Sequence, residues 1–185
     1  MAAAAGCCLV ETAIGRVGLA WTADGAIRAC QLPETDDAGT LARLRRWTGP
    51  VPEAAPPAAV QAIAERLQRA LAGRRDALLD VRLDEEGVPA FHHRVYAAAR
   101  AITPGTVTTY GEMARALGEP GASRAVGQAL GHNPFAPIVP CHRILAARGA
   151  SGGFSAQGGA RTKLRLLEIE GAVLGADGPG LFDTP

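Results

Sequence analysis

The sequence predicts an α/β (α+β) chain in two parts: a small N-terminal α/β domain with an antiparallel sheet, then a helical C-terminal domain. Three observations predict it. Within residues 8–32, short apolar or alternating runs are separated by turn signals. Beyond residue 89, apolar residues recur at helical spacing and are interrupted by Gly and Pro. The charge also changes sign where the two patterns meet: residues 1–88 carry 10 basic and 12 acidic side chains, and residues 89–185 carry 9 and 6. The linker is therefore placed at Asp84-Glu85-Glu86-Gly87, which divides the chain into domains over 1–86 and 87–175 and a tail over 176–185.

The elements follow in order. Leu9-Val10, Val17 to Trp21 and Ala26 to Cys30 read as strands, with turns at Ile14-Gly15-Arg16 and Ala23-Asp24-Gly25. Thr40 to Trp47 is helical and ends at Gly49-Pro50, and Val51 to Pro57 is a proline-rich loop. Val60, Ile63, Ala64, Leu67 and Leu71 mark one face of a helix over Ala58 to Ala72. Ala77 to Val81 reads as a further strand. In the second part, helices are predicted over Pro89 to Ile102, Gly111 to Leu117, Ser123 to Leu130 and Ala160 to Glu170, the last through Leu164, Leu166, Leu167 and Ile169. Two short helices around the Gly118-to-Gly121 turn are compatible with a helix-turn-helix, and equally with any αα-hairpin. Gly149 to Gly159 is a glycine-rich loop.

Composition narrows the class. The chain is 48% hydrophobic and 20% charged, with no apolar run long enough to span a membrane. Its alanine-rich start lacks the positive n-region of a secretory signal and reads as an untargeted N-terminus leading into a strand. Four cysteines without a CxxC pair make neither a disulfide framework nor a structural zinc site, so a reducing cytoplasm fits. No acidic residue lies between Glu119 and Glu168, while Arg124, Arg143, Arg148, Arg161, Lys163 and Arg165 all do. Such a stretch reads as a positive surface for a polyanion, or as a solvated basic face.

The chemistry centres on Pro140-Cys141-His142-Arg143. A cysteine next to a histidine and an arginine has a route to the thiolate, the nucleophilic form. The flanking prolines restrict the backbone that carries it. The alternative is a buried cysteine in a strand.

Taken in order, Thr109-Tyr110, Ser123-Arg124-Ala125-Val126-Gly127, Gly131-His132-Asn133-Pro134 and Pro140-Cys141-His142-Arg143 resemble the O6-alkylguanine-DNA alkyltransferases, also called methylated-DNA–protein-cysteine methyltransferases. The resemblance is strong from Phe91 to Gly171 and looser over residues 1–88. It implies the two-domain fold above, with the helix-turn-helix in the second domain. It further implies a monomeric DNA repair protein that moves methyl or small alkyl groups from guanine O6, and from thymine O4, irreversibly to Cys141. The implied partner is double-stranded DNA containing alkylated guanine, entered from the minor groove, with no membrane role, no cofactor and no metal.

Site residues carry over by matching position. Glu170 would orient His142, and His142 would activate Cys141 through a turn or one water, because neighbours in a strand face opposite ways. Tyr110 would help extrude the nucleotide and contact the base, with Arg124 filling the vacated stack. Ser123, Ala125 and Gly127 belong to the same DNA-binding helix. Asn133 would brace the turn before the cysteine segment. Pro140, Phe154 and Ser155 would wall the substrate pocket. Blander roles stay open: Glu170 facing solvent, His142 as a satisfied core residue, Arg124 as a solvated helix arginine and Tyr110 as a half-buried anchor. Phe154 stands where several members have tyrosine, and the loop through Ala156-Gln157-Gly158-Gly159 is about two residues longer than in some relatives. Cys7, Cys8, His92 and His93 do not fall where some animal members hold zinc. Two other functions compete: a non-catalytic alkyl-lesion-binding protein, which Cys141 argues against, and a cysteine hydrolase, for which adjacent Cys and His are poor geometry.

Overall fold

Ala4–Thr12 (β1), Gly15–Thr22 (β2) and Ile27–Gln31 (β3) pair antiparallel in the order β1-β2-β3. The structure, a computed structural model, describes residues 3–147 and 158–173. The chain divides into two units, Met1–Val88 with Pro134–Ile138, and Pro89–Asn133 with Val139–Pro185.

In the first unit, β1 starts five residues earlier than the Leu9-Val10 run suggested, since the alanine-rich stretch also pairs with β2. Its Gly6 lies against Trp21, where a Cβ would come within 2.7 Å of the indole ring. Gly15 closes the β1–β2 turn at φ +112°, a value that side chains rarely adopt. The helix Asp37–Thr48 (α1) begins one turn before the apolar spacing, because Asp36 caps it by accepting the Gly39 N–H at 2.7 Å. Leu41 and Leu44 of α1 pack with Cys7, Ala20, Ala29 and Val51. Ala58–Leu71 (α2) buries Val60, Ala64, Leu67 and Leu71, as its spacing predicted.

The strand predicted over Ala77 to Val81 is absent. Leu78 has φ +51°, its N–H donates to Asp76 Oδ1 at 2.9 Å, and the Val81 N–H donates back to the Leu78 carbonyl at 3.2 Å. Arg66 holds Asp76 at 2.8 Å and Asp80 at 2.7 Å. Those carboxylates wrap the segment round one guanidinium, which an extended strand would not allow. Residues 134–138 count with this unit: the Cys30 N–H donates to the Pro134 carbonyl at 2.8 Å, and Phe135 is buried.

The second unit contains Ala90–Ala101 (α3), Tyr110–Ala116 (α4), Ser123–Gly131 (α5) and Ala160–Ile169 (α6). Thr108–Thr109 (β4) and Ile144–Leu145 (β5) form a short parallel pair. Because β4 runs straight into α4 and β5 follows Arg143, this pair sets Tyr110 next to the cysteine segment. The buried Tyr96 hydroxyl lies 2.9 Å from the Ala129 carbonyl and 3.0 Å from that of His132, tying α3 to the end of α5. Among the described residues no helix is long and apolar enough to cross a membrane.

Helix α6 turns differently from its predicted face. Leu164 is 45% exposed, while Lys163, Leu166 and Leu167 are buried. The inward set is thus 163, 166, 167 with Glu170 one turn on, so a lysine occupies a core position.

Candidate active site

Pro140 shapes the backbone at the cysteine. Its φ of −83° and ψ of 67° form an inverse γ-turn, in which the Cys141 N–H donates to the Val139 carbonyl at 2.9 Å. The Arg143 N–H then donates to the Pro140 carbonyl at 3.0 Å, making Cys141–Arg143 a 3-10 turn. The expected extended strand is therefore replaced by a turn, in which His142 Nδ1 makes no direct hydrogen bond to the Cys141 sulfur. Asn133 Nδ2 donates to the same Val139 carbonyl at 2.9 Å, so its amide braces the γ-turn.

His142 is 2% exposed, and its Nε2 lies 2.9 Å from Glu170 Oε1. Glu170 also accepts from Arg143 Nη2 at 2.7 Å, from Arg143 Nε at 3.0 Å and from the Gly105 N–H at 3.3 Å. Burial alone would push the Glu170 carboxyl up. The hydrogen bonds from His142 and Arg143, with the charge of both, outweigh it and hold the group at about 2. A carboxylate only accepts, so His142 Nε2 carries the proton. Burial pushes the His142 pKa down, against the pull of Glu170, which keeps the ring neutral near pH 7. Its Nδ1 is then a bare lone pair, buried and without a hydrogen-bond partner among the described residues. Such a group is a ready proton acceptor.

Arg143 departs from its expected part. Its guanidinium is buried against Glu170 and the Ile102 carbonyl, 2.5 Å from Nη1, so it serves the carboxylate rather than the thiol. The cation that acts on Cys141 is Lys163. Burial raises the Cys141 thiol above its ordinary value, while the Asn133 amide, the Lys163 charge and the N–H groups of Cys141 and His142 pull it down. The resting sulfur is thus a protonated thiol that needs a base. The positive stretch is accordingly smaller than its sequence suggested: Arg143 and Lys163 are interior, and Arg165 pairs with Glu168 at 2.8 Å.

Lys163 was not singled out from the sequence. Its Nζ donates to the Ile144 carbonyl at 2.5 Å and sits 5.7 Å from the centre of the Tyr110 ring. Burial lowers its pKa to about 8, with the Cys141 charge opposing. The available signal was the i, i+3, i+4 set 163, 166, 167. Replacing Lys163 with Met should shift the pH profile of iodoacetamide alkylation at Cys141 upward, since a charge that lowers the thiol pKa is gone. An unchanged profile would show that the lysine has no hold on the sulfur.

A cleft of about 1090 Å³ opens over Cys141, lined by Tyr110, Gly111 and Arg115 of α4, by Ser123, Arg124 and Gly127 of α5, and by further residues of this unit. Tyr110 is half-buried; burial first and the Cys141 charge second hold its phenol above the usual value, so it stays a donor. A Thr109–Glu112 capping box fixes the start of α4: the Glu112 N–H donates to Thr109 Oγ1 at 3.1 Å, and the Thr109 N–H to Glu112 Oε2 at 2.7 Å. The Thr-x-x-Glu spacing at 109–112 is the sequence signal for this box. Gly127 faces the Tyr110 ring, where a Cβ would be 3.8 Å away. Helix α5 starts without a side-chain cap, leaving its first N–H groups open next to Arg124.

The structure thus gathers Cys141, Tyr110, Ser123, Arg124 and Gly127 at one cleft. His142 and Glu170 are not among its lining residues, and Pro140 and Asn133 shape the turn that carries Cys141. Ala125 is on α5 but not among the lining residues. Phe154 and Ser155 lie outside the described residues.

Residues 90–172 match the family profile described as "6-O-methylguanine DNA methyltransferase, DNA binding domain". The methylated-DNA–protein-cysteine methyltransferase of Mycobacterium bovis is 48% identical over 98 residues, covering 53% of this chain and 58% of that protein. The Salmonella typhimurium protein of the same name is 43% identical over 98 residues, covering 53% of this chain and 56% of its own. Those matches span less than two thirds of either relative. The crystal structure of Mycobacterium tuberculosis OGT in complex with DNA reaches further: 34% identity, 90% of this chain, 92% of that one, and a TM-score of 0.71. The chain belongs to the O6-methylguanine-DNA methyltransferase family. Its mixed fold, a small antiparallel sheet plus helices, is the fold of this methyltransferase family, and the archaeal Pyrococcus kodakaraensis enzyme shares it at 27% identity and a TM-score of 0.69, covering 90% of this chain and 99% of its own.

Proposed function

We propose that this protein repairs DNA by moving a methyl or small alkyl group from O6 of guanine, and from O4 of thymine, to the sulfur of Cys141. His142 Nδ1 accepts the thiol proton through one bridging water as the sulfur attacks the alkyl carbon. The carbon–O6 bond breaks, its electrons stay with the base, and the proton passes on to the departing guanine. Thiol and alkylguanine become thioether and guanine. Nothing in this sequence of steps regenerates the thiol, so each molecule acts once.

The observation that carries the reading is the Glu170–His142 pair, which leaves a bare ring nitrogen on the residue that follows a buried, cleft-lining cysteine. Glu170 holds the tautomer and offsets the imidazolium charge that proton transfer creates, as the third group of a relay does. Guanine O6 is engaged inside a duplex, so the nucleotide must leave the stack to reach Cys141. In this reading α4 and α5 act as a helix-turn-helix, α5 enters the minor groove of double-stranded DNA, Arg124 fills the gap, and Tyr110 guides the nucleotide. Ser123, Ala125 and Gly127 supply the helix surface that meets the backbone. The protein works as a monomer in a reducing compartment, the cytoplasm, which suits four free cysteines.

Excess duplex DNA carrying labelled O6-methylguanine tests this. Label should move to protein until one equivalent per chain is reached, then stop. Turnover beyond one equivalent, or binding without transfer, would contradict it.

A further inference from the structure

The α4 face of the cleft carries a cation that the family resemblance does not assign. Arg115 and Gly111 are one turn apart on α4, and both line the cleft above Cys141. Across it, Arg124 and Gln128 form the matching pair on α5. None of the lining residues is acidic. Arg115 is exposed, and among the described residues no carboxylate lies within salt-bridge distance of it. The nearest acid along its helix, Glu112, is taken: its Oε2 accepts from the Thr109 N–H at 2.7 Å and from the Thr108 hydroxyl at 3.1 Å. Glu119, four residues on, is held by Arg94 at 2.6 Å, and residues 120–167 contain no Asp or Glu.

Arg115 feels the charge of Glu112 but makes no salt bridge with it. An exposed guanidinium lining a cleft without acidic residues fits an anion that approaches together with the substrate. Arg124 sits at the first turn of α5, whose open N–H groups add positive potential on that side. Arg115 is near the end of α4 and extends the positive edge along the other wall. We infer that Arg115 binds a backbone phosphate of the duplex, so that the cleft grips the DNA from both helices rather than from α5 alone. The inference rests on the DNA-repair reading above and names a contact within it. Its role is affinity and register. A phosphate contact carries no sequence or lesion information, so it should strengthen binding to damaged and undamaged duplex alike. Guanidinium suits this task because it offers a planar fork of donors to phosphate oxygens.

The test is the salt dependence of duplex binding by wild type, Arg115→Ala and Arg115→Lys, measured by fluorescence anisotropy with damaged and undamaged oligonucleotides. Each phosphate contact contributes about 0.9 to the slope of log K against log salt. Arg115→Ala should lower that slope by about 0.9 for both duplexes, and Arg115→Lys should restore it. A wild-type slope in Arg115→Ala would overturn the inference. So would a loss confined to damaged duplex, which would make Arg115 a lesion reader. Labelled-methyl transfer by the wild type is scored separately. Transfer with an unchanged Arg115→Ala slope removes this contact and leaves the repair reading intact, whereas a lowered slope without wild-type transfer keeps the contact and removes alkyl transfer.

Discussion

Cys141→Ala should lose alkyl transfer completely while keeping its affinity for duplex DNA. In the proposed reaction the sulfur is the atom that ends up bearing the alkyl group, so no base or proton relay can compensate for it. The other thiols are poor substitutes. Cys7, Cys8 and Cys30 lie in the first unit and do not line the cleft. Burial pushes all three upward, Cys8 to about 11, as it does Cys141, but without the Asn133 amide and the Lys163 charge that pull Cys141 back down. Affinity should persist because the cations of the cleft, Arg115 and Arg124, are untouched. Cys141 is small, so the change leaves only a minor void, and α4 and α5 keep their places. Anisotropy with intact duplex and a radiolabel assay on the same preparation check both halves. Residual transfer would place the acceptor elsewhere; lost affinity would mean that the cysteine holds the fold of the cleft.

Glu170→Gln should have the second largest effect, on stability and chemistry together. It strips the partner from the Arg143 guanidinium, which is only 5% exposed, and breaking one side of a buried pair costs about 3–5 kcal/mol. For a domain of this size that lowers Tm by roughly 10 °C. The amide also no longer dictates which nitrogen of His142 carries the proton, so loss of general-base assistance should slow transfer by about 10²–10⁴-fold. The pH dependence carries a definite sign. The folded Glu170 carboxyl titrates at about 2, below its ordinary 4.5, so its contribution is fully present above about 4.5 and fades as pH falls toward 2. The stability gap between wild type and Glu170→Gln should therefore be largest near neutrality and shrink below pH 4.5, as read by urea melts across that range. A gap independent of pH would show that the carboxylate charge is not what holds Arg143 and His142.

Much of this was legible in the chain because it depends on local pattern. Alternation and turn residues mark the three strands, and the apolar stripe of α2 is buried as spaced. The failures share a cause: a polar group engaged over distance. Ala77 to Val81 has strand composition, but Arg66, ten and fourteen residues back, pulls Asp76 and Asp80 into a turn. In α6 a leucine-counting reading turned the helix toward Leu164, when the inward position belongs to a lysine whose partners, the Ile144 carbonyl and the Tyr110 ring, are remote in sequence. At the site, motif order brought out Cys141, His142 and Glu170, but adjacency made Arg143 look like the cation of the cysteine. Its side chain instead turns to Glu170, and a residue 22 positions beyond the cysteine supplies the charge. The turn at Cys141 was likewise hidden, since a proline followed by apolar neighbours reads as strand until the Asn133 amide and the Cys141 N–H are seen on one carbonyl.

Peptide mapping by mass spectrometry, after exposure to duplex bearing O6-methylguanine, tests the central claim most directly, because the chain offers four thiols and the account selects one. The peptide containing Cys141 should gain the mass of a single CH2 group in every molecule that has reacted, with Cys7, Cys8 and Cys30 unmodified. Methyl found on any of those three, or on no residue while the lesion disappears from the DNA, would contradict it.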